Sequence, residues 1–161
     1  MTEQRYHELQ TRVADWFAQR LPAGWLAGPA GIDIDRDEIV LVLPLDQRTH
    51  RGEFRENTRD ARIKLAREAE ETFGRKISWG TVRDGTRQLF TIVRTAVTAQ
   101  LAMPERRVLD TLIGAGVAAD RSDAVAWCIR LVGQHEADWL RDLGDATAAT
   151  PTSRPELRTQ I

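Results

Sequence analysis

The 161-residue chain is 42% hydrophobic and 29% charged with a formal net charge of −1, the balance of an ordinary soluble globular protein able to bury a core in one domain or two small ones. That balance excludes a global attraction to nucleic acid or anionic membrane while leaving room for local patches, and no stretch approaches the roughly 20 apolar residues that span a bilayer. Cys128 is the only cysteine and Met1-Thr2-Glu3-Gln4-Arg5 opens no apolar run, so the expectation is a cytoplasmic protein without disulfide, signal peptide or membrane partner.

In chain order, Tyr6, Leu9, Val13, Trp16, Phe17 and Leu21 recur at three- and four-residue steps and predict an amphipathic helix over residues 3–21, stopped by Pro22 and Gly24. The period then changes. Ile32 and Ile34 alternate with Asp33 and Asp35, and Ile39-Val40-Leu41-Val42-Leu43 is a continuous apolar run. With Asp35-Arg36-Asp37-Glu38 as the turn they predict a hairpin, its first strand half exposed and its second covered on both faces. Helical period returns from Gly52 to Phe73 through Phe54, Ala61, Leu65 and Ala69, with Gly74 as the stop. Lys76 to Trp79 and Arg87 to Val93 frame Asp84-Gly85, the strongest short-range hairpin signal in the chain. Residues 1–94 therefore predict an α+β module of helix, hairpin, helix and hairpin, with helices on one face of an antiparallel sheet.

Thr95 to Leu101 reads as a polar-flavoured strand, Pro104 to Ala115 as a short helix and Ser122 to about Leu143 as a longer one capped by Ser122. After Gly144 the small residues and prolines predict a disordered tail over 144–161. The last helix poses a problem of cover. Val125, Cys128, Ile129 and Val132 share one face, yet Ala124, Trp127 and Leu131 continue the apolar surface around the other side. A surface helix has one apolar stripe; this one has nearly two.

The order strand, Pro104, Leu109-Asp110-Thr111-Leu112-Ile113, a loop with Gly114 and Gly116, then "RSDAVAWCIRLV" resembles the ribbon-helix-helix (Arc/MetJ-like) family of bacterial DNA-binding proteins over about residues 95–135. The resemblance implies an interlocked homodimer, with strands paired into one ribbon and second helices packed on each other. Leu101, Val125, Trp127, Cys128, Ile129, Leu131 and Val132 would form that interface over a segment spanning 95–143. It further implies a ribbon in the major groove, with Thr98 and Gln100 facing the bases. Arg121 and Ser122, opening the second helix, would meet phosphate, as would Arg94, Arg106 and Arg107. Ala102 departs from the pattern, standing where a long polar or basic side chain is common.

Other candidates have blander readings. Asp33, Asp35 and Asp37 alternate like a calcium loop, but its glycine and glutamate positions hold Glu38 and Pro44; His7, His50 and His135 are scattered. No metal, cofactor or catalytic set is expected, and Cys128 on an apolar face reads as an inert thiol. Arg48, Arg51, Arg55, Arg59, Arg62, Lys64 and Arg67 crowd the second predicted helix and its approach. They fit either a solvated face paired with neighbouring acids or an anion-binding patch. Trp25 and Trp79 fit core anchors or the walls of a ligand pocket. Two functional classes follow. One is a homodimeric, sequence-specific DNA-binding transcriptional regulator whose N-terminal module senses a small-molecule or protein effector. The other is a non-enzymatic interaction or assembly module whose C-terminal segment only dimerises.

Overall fold

A computed structural model of the chain describes residues 3–149. They form two units, divided between Ala96 and Val97, each with its own hydrophobic cluster. The first contains α1 (Glu3–Ala18), a single 3-10 turn (Ala23–Trp25), β1 (Gly31–Ile34), β2 (Glu38–Pro44), α2 (Arg51–Asn57), α3 (Arg59–Phe73), β3 (Lys76–Arg83) and β4 (Thr86–Leu89). Its strands form one sheet in the order β1-β2-β3-β4.

Both sequence-marked turns are present. The Asp35 carboxylate accepts hydrogen bonds from the backbone N–H of Asp37 at 2.8 Å and of Glu38 at 2.6 Å, an Asx turn that reverses the chain. Asp84 and Gly85 both take positive φ, 52° and 72°, as the tight hairpin turn requires. The sheet, however, is mixed rather than antiparallel. β1 and β4 pair antiparallel with their neighbours, but β2 and β3 run parallel, with Glu38 opposite Lys76 and Pro44 opposite Val82. The cause is the connection: α2 and α3 carry the chain back to where β2 began, so β3 sets off in the same direction. β2 sends Ile39, Leu41 and Leu43 into the core, while on its other face Val42 is buried and Val40 half-buried, so the expected cover on both faces is only partial.

Ile34, Ile39, Leu41, Leu43, Ile77 and Trp79 join Val13 and Phe17 of α1, Phe54 of α2 and Ala69 of α3 in the core. Trp79 is its aromatic centre, meeting Phe17 edge-on at 5.8 Å and Trp25 at 6.4 Å. Trp25 and Trp79 are thus core anchors. α1 ends at Ala18, short of the expected Leu21. The single helix expected from Gly52 to Phe73 is broken at Thr58, whose hydroxyl donates to the Phe54 carbonyl at 2.6 Å, a back-bond that bends helices. β4 stops at Leu89, not Val93, because the Trp79 N–H is taken by the Thr91 hydroxyl oxygen at 3.0 Å instead of by a backbone carbonyl.

The second unit contains α4 (Met103–Gly114), α5 (Arg121–His135) and α6 (Ala137–Ala149). Residues 91–102 are neither helix nor strand, so the expected strand at Thr95 to Leu101 is unpaired within the single chain. Asp120, not Ser122, caps α5, its carboxylate accepting the Asp123 N–H at 2.9 Å. A cap residue lies just outside the helix, two or three residues before the N–H it satisfies, and Ser122 already lies inside α5. The long helix expected to run to Leu143 breaks at Glu136. The first residues of the expected tail, 144–149, are instead the end of α6, where alanine favours helix; residues 150–161 lie outside the described residues.

Candidate functional site

α4 and α5 meet through a small cluster. Leu109, Ala118 and Ala124 are buried, with Leu101, Leu112, Ile113, Val125 and Cys128 packed around them. The intervening loop turns at Gly116, at φ 74°, a left-handed conformation that suits glycine. Across the loop Arg121 grips Asp110 with two hydrogen bonds of 2.9 Å, from Nε and one Nη. This grip holds the Asp110 carboxyl below the usual aspartate range and raises the Arg121 guanidinium above its own. Asp123 both receives the cap and accepts the Ala119 N–H at 3.1 Å. The helical hairpin is therefore fixed by polar ties at its turn and by a minimal apolar cluster beside them.

Of the expected interface residues, the structure brings Leu101, Val125 and Cys128 into that cluster. Trp127 is half-buried. Ile129, Leu131 and Val132 lie outside it, 67%, 37% and 45% exposed. The division of α5 into two faces needs correction, since Ala124 is buried on the same side as Val125 and Cys128. The contrast runs along the helix: its first two turns are covered by α4, its next two are bare. Val97, Met103, Val108, Val117, Trp139 and Leu140 are also exposed.

The expected DNA-contacting residues divide similarly. Thr98, Gln100, Arg94, Arg107 and Ser122 are exposed. Arg106 is half-buried and donates to the Leu101 carbonyl, while Arg121 is engaged by Asp110. That ion pair has no sequence signal beyond opposite charges at the two ends of a short interhelical loop. In the first unit, Arg55, Arg59 and Arg62 of the basic run line one cleft. Among the described residues no cluster of His, Cys, Asp or Glu could hold a metal ion, and no helix is long and apolar enough to cross a membrane.

Two family models match the chain: the N-terminal domain of Rv1265-like proteins over residues 11–89 and the Mb1296 C-terminal domain over residues 102–154. Similar proteins include uncharacterized proteins Rv1265 and MT1303 of two Mycobacterium tuberculosis strains and Mb1296 of Mycobacterium bovis. Each is 41% identical over 156 residues, covering 89% of this chain and 69% of its own. No solved structure matches.

Proposed function

The chain belongs to the Rv1265-like family, and we propose that it is a homodimeric, sequence-specific DNA-binding transcriptional regulator. Residues 95–143 would supply both the dimer and the DNA-reading ribbon. The observation that carries this proposal is half a core. Among the described residues the second unit buries only Leu109, Ala118 and Ala124, while Val97 is 88% and Ile129 67% exposed. Units this small rarely stand on so little without oligomerisation.

An identical mate is the occupant that fits. Leu101 packs on the α4–α5 cluster, so alternation along an extended chain turns Ala99 and Val97 to the same side. Thr98 and Gln100 then face away. Pairing two such strands would cover Val97, satisfy the unpaired backbone of 95–101 and leave Thr98 and Gln100 outward. Charge is placed consistently, with Arg94, Arg106 and Arg107 near the ribbon against Glu105 alone.

Another observation favours the dimer-only alternative. Residues 97–149 hold five arginines against eight acids, which opposes a polyanion except close to the ribbon. A salt-titrated binding assay on duplexes selected from a randomised pool separates the two. Regulation predicts a dimer at micromolar concentration and DNA affinity that falls steeply with salt and is lost in the Thr98→Ala/Gln100→Ala double variant. A dimer indifferent to DNA at low salt selects the second reading.

A further inference from the structure

The first unit contains a basic site that the ribbon proposal does not use. At the α2–α3 break, Arg55, Glu56, Arg59, Arg62 and Ile63 face Phe90 and Thr91 across an open cleft of about 470 Å³, within the usual size range for small-molecule sites. Arg62 lies at its base and is only 6% exposed. Its Nε donates to the Thr58 hydroxyl at 3.0 Å and one Nη to the Arg55 carbonyl at 2.7 Å, while its guanidinium sits 4.9 Å from the centre of the Phe90 ring. All these partners are neutral. Among the described residues Arg55, Arg59 and Arg62 make no ion pair, and the other Nη of Arg62 has no acceptor.

A buried guanidinium does not escape by giving up its proton, because arginine stays charged in proteins. Burial, then the charges of Arg55 and Arg59, lower its proton affinity, and Glu56 opposes them only in part. Burying a cation without a counter-charge is costly, so this arrangement persists at a cost that an arriving anion removes. Three arginines against one glutamate match a dianion. Guanidinium forks suit phosphate oxygens, and the Thr91 hydroxyl, already accepting the Trp79 N–H, keeps its proton to donate.

We infer that this cleft binds the terminal phosphate of a small-molecule phosphate monoester, with Arg55, Arg59 and Arg62 on the phosphate and Ile63 and the Phe90 ring against an apolar or aromatic body. A concave site with its cation at the base suits a free phosphate end. A duplex backbone would touch the exposed Arg55 and Arg59 and pass over Arg62.

The test is calorimetric titration of the full chain at fixed ionic strength with phenyl phosphate, inorganic phosphate and phenol. Saturable one-to-one binding is expected for phenyl phosphate, weaker binding for inorganic phosphate and none for phenol. Arg59 makes no side-chain hydrogen bond among the described residues, so Arg59→Gln leaves the fold intact and weakens phenyl phosphate about tenfold, as loss of one charge-assisted contact does. Arg62→Gln abolishes binding, with circular dichroism reporting whether the α2–α3 break survives. Absence of saturable phenyl phosphate binding, or full affinity in Arg59→Gln, overturns the proposal. So does equal binding of phenol, or loss of duplex DNA affinity in Arg59→Gln with none for phenyl phosphate, which makes the patch a DNA-backbone contact. Because Thr98 and Gln100 play no part here, failure of the ribbon proposal leaves this result untouched.

Discussion

Replacing Ile129 with alanine probes the half-core most directly. Its side chain is 67% exposed in the single chain, so the monomer loses little when it is trimmed. Fully burying an isoleucine contributes about 1.5–3 kcal/mol, of which roughly two-thirds is still open to a mate here. Alanine retains part of that contact, leaving a loss of about 1 kcal/mol per copy. In a twofold dimer both copies are affected, giving about 2 kcal/mol in all, or roughly thirtyfold in the dissociation constant. Sedimentation equilibrium across a concentration series reads that shift, with far-ultraviolet circular dichroism held constant as the control on folding. An unchanged dissociation constant, or a wild-type chain that stays monomeric at micromolar concentration, refutes the reasoning. A drop in helix content at all concentrations would mean instead that Ile129 serves the monomer.

Three further outcomes are expected from named contacts. A Cβ at Gly80 would lie 2.7 Å from Leu89 Cδ2 and 2.9 Å from the Gln88 carbonyl, so Gly80→Ala forces β3 and β4 apart and costs about 1–3 kcal/mol in denaturant melts. Asp120→Ala removes the cap of α5 and costs about 1 kcal/mol by the same measurement. The Arg121 hydrogen bonds depress the Asp110 carboxyl in the folded chain relative to the unfolded one. The stability this confers is complete above the ordinary aspartate value and is lost as pH falls through the lower folded value. Carboxyl NMR titration should find Asp110 titrating lower in the wild type than in Arg121→Gln.

What the sequence disclosed was mostly what local chemistry decides. Asp35 and Asp84-Gly85 announced their turns because a carboxylate beside free N–H groups and a pair of positive φ angles are settled within four residues. The spacing of Val13 and Phe17 likewise showed which side of α1 is buried. The β2–β3 direction was not legible, because a parallel pair and a hairpin can contain the same apolar runs and differ only in where the intervening helices deliver the chain. The break at Thr58 depended on one hydroxyl choosing the Phe54 carbonyl, a choice that pattern alone does not reveal. The arginine run fitted either a solvated face or an anion-binding patch, and pattern alone did not place Arg62 against Phe90, a residue 28 positions away that lies past the end of another strand. For α5 the excess of apolar positions was plain, but which of them α4 covers was not.

The two units also differ in what they need from a second molecule, and this yields a consequence for unfolding. Among the described residues the first has a core of eleven buried residues drawn from α1, the sheet and Leu45 just beyond β2, α2 and α3, enough to be self-sufficient. Among the described residues the second has three, and Val97, Met103, Val108, Val117, Ile129, Leu131, Val132, Trp139 and Leu140 are exposed. An equilibrium that consumes one molecule and returns one is indifferent to protein concentration, whereas one that dissociates a dimer shifts with it. Denaturation should therefore separate into two transitions. One, followed by backbone amides of β2 and β3 in hydrogen exchange, stays put as protein concentration rises. The other, followed by backbone amides of α4 and α5 in hydrogen exchange, moves to higher denaturant with every tenfold increase. If both transitions are independent of concentration, the second unit is complete in one chain and no mate is needed. If both move together, the mate is bound by the sheet unit as well, and the half-core of α4 and α5 is not the whole of the interface.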